Sequence, residues 1–302
     1  MSDRDKSGLR GRVSVCETQY QCSPHQYKGL YVIREVFHWD GRRDETTHEH
    51  ANGTDWTHRW FYRDDKSLIE ETCDGTFPFR RTFQYDRSGR LDQVFHHGDE
   101  GRRLEETYLH HADGTSTQIR YLQNRDELGR DSATCADSML HVSADAVRVI
   151  TLRDPLDNPL EKVLYDIDER PIQRVLFVYD DAGRLIEEGE ACLDNTIRDD
   201  FRNLYGYDSQ GRCIEKQIET PFHGERQTTT YNEQGDATEV CRTYLETGIE
   251  LWPKRPWALH FSYDYDAYGN WLVCRIETRT FDTGETTHRD ERRRRLTYWD
   301  RP

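Results

Sequence analysis

Apolar and polar positions alternate in short runs along most of this chain. Val175, Phe177 and Tyr179 fall on one side of an extended segment and Leu176 and Val178 on the other, while Leu272, Cys274 and Ile276 alternate with Trp271, Val273 and Arg275. A period of two between turn signals is the pattern of strands. No window of roughly 11 to 18 residues sustains an i, i+3, i+4, i+7 apolar stripe. Thr-rich runs such as Gln227-Thr228-Thr229-Thr230 add β-branched residues, which favour extended backbone.

Between the runs one motif recurs: an aromatic residue, Asp, two variable residues, Gly, a long polar residue and an apolar one. It is clearest at Tyr85-Asp86-Arg87-Ser88-Gly89-Arg90-Leu91 and at Tyr179-Asp180-Asp181-Ala182-Gly183-Arg184-Leu185, and returns at Tyr207-Asp208 with Gly211, at Tyr231-Asn232 with Gly235, and at Tyr265-Asp266 with Gly269. Weaker copies start at His97, His110, Arg125, Arg153, Tyr165 and Tyr244, so that slots follow one another about every 12 to 15 residues. Each copy has a physical reason to bend. Asp can accept a backbone N–H two residues on, and Gly supplies the positive φ that other residues resist.

These turns predict an all-β fold, a long antiparallel meander of about twenty short strands at one strand per unit. At ~4.8 Å between neighbours the sheet would run on the order of 100 Å, and strand twist would coil it into a twisted or spiral sheet with its terminal edges covered. The predicted division is a degenerate N-terminal cap region over 1–79, a repeat sheet over 80–285, and a basic, aromatic C-terminal tail over 286–302.

The copies at 85, 179 and 265 resemble the YD repeats of bacterial Rhs proteins and related toxin-complex shell subunits. The resemblance covers the repeat region only. It implies a β-shell scaffold, an accessory or remnant of an Rhs-type toxin system. Large members of that family enclose a C-terminal toxin. Here the expectation is that no domain follows the last slot; no Asp-Pro-rich closing motif is found, and about twenty strands in a single ring would span only ~30 Å. The resemblance therefore extrapolates to a free-standing scaffold or binding surface.

Composition changes this picture in two respects. Apolar residues are 34% of the chain and charged ones 33%, too little apolar material for a usual thick core, yet aromatics at 12% exceed what disordered chains carry. A thin two-sided sheet satisfies both. The net charge of −15 repels phosphate backbones, which excludes nucleic acid as a general partner. Arg292 to Arg295 read as a solvated terminal face. The eight cysteines (Cys16, Cys22, Cys73, Cys135, Cys192, Cys213, Cys241, Cys274) lie far apart without zinc-ligand spacing. No signal-peptide stretch and no membrane-length apolar run are present, so the expectation is a reduced, cytoplasmic protein that meets no membrane, with export by a dedicated secretion system leaving no such mark.

Chemistry is sparse. No Gly-x-Ser-x-Gly elbow, His-Glu-x-x-His, phosphate loop or calcium loop is present, no cofactor is implied, and no carboxylate pair stands out among 57 acidic residues. His48 and His50 share a strand face ahead of an Asn52-Gly53 turn, with His58 on the return. A two-residue loop sets His58 opposite Thr47, away from the other two, whereas a three-residue loop sets it opposite His48 and completes a metal site. Trp252-Pro253-Lys254-Arg255-Pro256-Trp257 interrupts the repeat, and Trp252 and Trp257 are the candidate binding residues, against a reading in which they cap the sheet. The leading expectation is a non-catalytic scaffold or binding module for protein or carbohydrate. The alternatives are a metal-dependent enzyme using His48, His50 and His58 or the His97 and His110 pair, and self-assembly through edge strands.

Overall fold

The computed structural model describes residues 2–21, 30–50, 53–75, 78–98, 101–122, 147–191, 202–220, 224–245, 256–280 and 283–299. After a one-turn helix α1 (Asp3–Lys6), strands β1 (Val13–Gln21), β2 (Leu30–Phe37), β3 (Arg43–His50), β4 (Gly53–Tyr62) and β5 (Leu68–Gly75) begin the sheet. It continues through β6 (Phe79–Tyr85), β7 (Leu91–Gly98), β8 (Gly101–His110), β9 (Ser116–Tyr121), β10 (Arg148–Arg153), β11 (Pro159–Tyr165) and β12 (Pro171–Tyr179). The last eight are β13 (Leu185–Ala191), β14 (Arg202–Tyr207), β15 (Cys213–Glu219), β16 (Gly224–Tyr231), β17 (Ala237–Leu245), β18 (Trp257–Tyr265), β19 (Trp271–Thr280) and β20 (Thr286–Tyr298).

Each strand pairs antiparallel with the next, and β20 returns to pair with β1 through seven residue pairs from Val13↔Tyr298 to Tyr20↔Arg292. The twenty-stranded meander is therefore a closed β-barrel, a closure that the expected twisted or spiral sheet did not specify. The reason is energetic. Twist already curls a broad sheet, and joining its ends pairs two rows of backbone N–H and C=O groups that would otherwise stand open. Twenty strands at ~4.8 Å give roughly 30 Å across, rising to on the order of 40 Å when strands tilt as barrel strands do.

Alternation separates two faces. One carries Cys16, Thr18, Thr46, Cys73, Val94, Leu164, Val175, Glu188, Asn203, Cys274 and Ile276, all buried, and is the inner wall. The other carries Arg80, Leu176, Val178, Arg202, Arg226, Arg275 and Arg293, all exposed. Most inward side chains are half-buried rather than buried, so they line the interior without filling it. The compact apolar clusters are local, the larger joining Leu9, Val13, Cys16 and Phe37 with Leu296 and Tyr298 at the closure.

All three predicted regions enter this one sheet, and residues 286–298 form the closing strand. The four arginines of β20 alternate accordingly. Arg293 and Arg295 are exposed, whereas Arg292 lies 5.2 Å from the Tyr20 ring centroid and Arg294 lies 3.7 Å from that of Trp271. They are the in-and-out faces of one strand rather than a single solvated face.

Candidate functional site

Successive connections lie at opposite ends of the barrel, and one end is uniform. It carries nine five-residue turns at 38–42, 63–67, 86–90, 111–115, 154–158, 180–184, 208–212, 232–236 and 266–270, each closed by a hydrogen bond from its first N–H to its fifth carbonyl. A tenth, 166–170, lies at the opposite end. In the turn at 86–90, Asp86 Oδ1 accepts from Ser88 N at 2.8 Å and Arg90 N at 3.0 Å, and Arg90 Nε donates to Oδ2 at 2.9 Å. The same three bonds recur around Asp180 and Asp208, and the two backbone bonds recur around Asp266. Gly89 and Gly183 take φ of 79° and 74°, the left-handed region that favours glycine. At the degenerate turns Lys66, Asp157 and Glu169 occupy that conformation at φ of 72°, 68° and 62°. A β-bulge follows turn after turn, so Leu272 steps out of the alternation that Cys274 and Ile276 keep.

The aromatic slot clamps neighbouring hairpins together. Tyr85, Tyr207 and Tyr231 donate their hydroxyls to the carbonyls of Leu68, Leu185 and Cys213, each at 2.7 Å. Tyr62 and Tyr179 do the same to Arg43 at 3.1 Å and Pro159 at 2.9 Å. His110 stands in for Tyr, with Nε2 donating to the Leu91 carbonyl at 2.7 Å. His97 lies at the far end of its strand and meets Thr82 Oγ1 at 2.9 Å, so the two histidines sit at opposite ends of the barrel wall.

His48, His50 and His58 do share the inner face, by a register different from both predicted ones. His50 pairs with Gly53, and a bulge between His48 and Glu49 places His58 opposite Thr46 and Trp56 opposite His48. Trp56 stacks on His48 with centroids 3.5 Å apart, Tyr31 stacks on His50 at 4.6 Å and hydrogen-bonds His48 Nδ1, and His58 stacks on Trp60 at 4.0 Å. His58 Nε2 lies 2.6 Å from Glu71 Oε1. The rings thus form a continuous band whose faces are spent on one another. Among the described residues no group of three or more His, Cys, Asp or Glu side chains is placed to hold a metal. Trp257 points inward on β18, with Arg242 over its ring at 5.0 Å; Trp252 lies outside the described residues, as do Cys22, Cys135, Cys192 and the slot at Arg125.

The feature that sequence reasoning missed is a cleft of about 1040 Å³ on the outer side of the turn-bearing rim, over β3 and β4 and between the turns at 38–42 and 63–67. Trp39 and Phe61 line it, 62% and 44% exposed. Its charged lining is paired: Arg59 lies 3.0 Å from Glu45, Arg34 3.5 Å from Glu45, and Arg42 3.0 Å from Asp40, with Lys66 at 3.8 Å from the same carboxylate. Burial alone would raise the Asp40 carboxyl, but hydrogen bonds from Arg42 and His38 outweigh it and bring it down to about 2. Asp44, in the bulge beside it, is raised by burial. The sequence signal was the His38-Trp39-Asp40-Gly41-Arg42 turn, which carries Asp two places later than the repeat.

No family model matches this chain, and no curated protein matches it. Among solved structures, a porin-like protein from Bacteroides uniformis aligns over 94% of this chain and 96% of its own, at 11% identity and a TM-score of 0.40. Two structures of TcdB2-TccC3, one of them without the hypervariable C-terminal region, align over 89% of this chain at 11% and 10% identity and TM-scores of 0.27. This chain spans 18% and 19% of those two chains. At such TM-scores these likenesses carry no argument about function. Among the described residues no helix is long and apolar enough to cross a membrane, which leaves strand-built spans unaddressed.

Proposed function

We propose that the protein is a non-catalytic β-barrel scaffold that works surrounded by water and binds protein or carbohydrate on its surface. The observation that carries this reading is the outer face. Cross-strand ion pairs run around it: Arg59 to Asp74 at 2.6 Å, Arg80 to Glu70, Arg174 to Glu161, Arg202 to Glu187 and Arg226 to Glu215 at 2.7 Å, and Arg275 to Asp264 at 2.8 Å. A barrel in a bilayer needs an apolar outer band about 25 Å tall, and each Arg or Lys at its midplane costs roughly 2 to 4 kcal/mol. In water the same pairs are nearly neutral in energy. Among the described residues the exposed large apolar side chains on strands are Phe61, Leu109, Tyr121, Leu176, Val178 and Ile214, scattered over β4, β8, β9, β12 and β15 and too few for a girdle.

The repeat supports kinship with YD-repeat shells. Its Tyr-Asp-x-x-Gly-Arg motif has a defined mechanical role here, the Asp capping the turn and the Tyr tying one hairpin to the next. The inner histidines support a structural role, since each ring is stacked on another aromatic and His58 Nε2 lies beside the Glu71 carboxylate. Phase separation in a nonionic detergent tests the reading: the folded protein is expected in the aqueous phase, and recovery in the detergent phase would overturn it.

A further inference from the structure

We propose that the rim cleft between the turns at 38–42 and 63–67 is a carbohydrate-binding site, in which Trp39 and Phe61 stack against sugar rings and the Arg34, Glu45 and Arg59 cluster hydrogen-bonds their hydroxyls. This rests on the binding-scaffold reading above and specifies its ligand.

Trp39 carries the first part of the argument. It occupies the second position of its turn, where the other turns of that rim place Asp64, Arg87, Ala112, Pro155, Asp181, Ser209, Glu233 and Ala267. Turn geometry therefore asks nothing of that side chain, yet here it is the largest one available, 62% exposed. Its ring contact is a tilted approach to His38 at 5.5 Å, which leaves ring surface open. Phe61, outward on β4 and 44% exposed, gives a second open ring in the same cleft. Exposed aromatics held on a rigid wall offer large contact area at little conformational cost.

The charges decide the class of ligand. Five basic side chains of the lining, Arg34, Arg42, Arg59, Arg63 and Lys66, stand against four carboxylates, Asp40, Asp44, Glu45 and Asp64, so the cleft presents little net field to attract an ion. What it presents instead is guanidinium donors beside carboxylate acceptors, the complement of a hydroxyl, which both donates and accepts. An extended peptide would pair with a free strand edge, and the closed sheet offers none among the described residues. Nucleic acid is opposed by the −15 charge of the chain. A volume of about 1040 Å³ lies at the upper end of small-molecule sites, which suits several linked sugar rings better than one.

The test is calorimetric titration of the full-length protein with maltohexaose, cellohexaose, chitohexaose and a hexagalacturonate, repeated for Trp39→Ala, Phe61→Ala and, as a control, Trp299→Ala, whose ring is exposed outside the cleft. At least one hexasaccharide is expected to bind saturably, with Trp39→Ala and Phe61→Ala each weakening it about tenfold or more and Trp299→Ala leaving it unchanged. Absence of binding by all four at about 10 mM overturns the assignment. Binding that survives Trp39→Ala and Phe61→Ala removes the cleft while leaving a carbohydrate-binding scaffold. Partition of the protein into detergent would instead sink the scaffold reading itself, so the two failures are separable.

Discussion

Tyr207, the last residue of β14, donates its hydroxyl at 2.7 Å to the carbonyl of Leu185, the first residue of the neighbouring strand β13. The bond ties the turn at 208–212 to the turn at 180–184, and its equivalents at Tyr62, Tyr85, Tyr179 and Tyr231 repeat the tie along the rim. The motif is thus a coupling device. Asp shapes a turn locally, and Tyr fixes that turn to the one before it.

Tyr207→Phe keeps the ring and removes this bond, leaving the Leu185 carbonyl without that donor. A loss of about 1 kcal/mol in urea unfolding is expected, with the barrel intact by circular dichroism. Tyr268→Phe, at an exposed turn position, is expected to cost nothing measurable and serves as the comparison.

Two glycines of the same turn type separate backbone strain from crowding. Gly183 has φ of 74° and open space around a would-be Cβ, so Gly183→Ala is expected to cost about 1 kcal/mol from conformation alone. Gly269 has φ of 79°, and its would-be Cβ meets Arg10 Nη1 at 2.6 Å, where Arg10 holds the N-terminal segment to the rim through the Gly269 carbonyl. Gly269→Ala is therefore expected to cost more, and to raise the rate of proteolysis within residues 2–12.

Closure is testable at Leu296, which faces Cys16 across the β1–β20 seam and packs against Leu9, Val13 and Phe37. Leu296→Ala is expected to destabilise by about 2 to 3 kcal/mol and to expose β1 to hydrogen exchange. Unchanged exchange in β1 would mean that the seam is not where the barrel is held.

Asp40 sets an acid limit. Its folded carboxyl, at about 2, lies below the model-peptide value, so its contribution to stability is complete above about pH 4 and is lost as pH falls toward 2. Asp40→Asn is expected to lower stability at neutral pH and to flatten its decline over that window in urea titrations at fixed pH. A parallel decline in both proteins would count against the Arg42 and His38 contacts.

The recurring bends, the strand periodicity and the number of strands were legible in the sequence because each is local. An Asp that caps its own turn and a Gly in the left-handed region act within five residues, and alternation acts within one strand. The histidine register was not legible, because a bulge at His48 and Glu49 changes which residues face one another without any residue type that announces it. The exchange of Tyr for His110 could be read as an aromatic slot, but its carbonyl partner, Leu91, lies on a neighbouring strand.

What the sequence determined by itself is a β-meander whose turns are written into Tyr-Asp-x-x-Gly. Only the tertiary structure decided that β1 meets β20, that Arg292 and Arg294 turn inward while Arg293 and Arg295 turn out, and that Trp39 and Phe61 come to share one cleft. The physical reason is that closure depends on twist and coil summed over twenty strands. A small rotation at each pair decides whether two chain ends far apart in sequence become neighbours, and no single motif carries that sum.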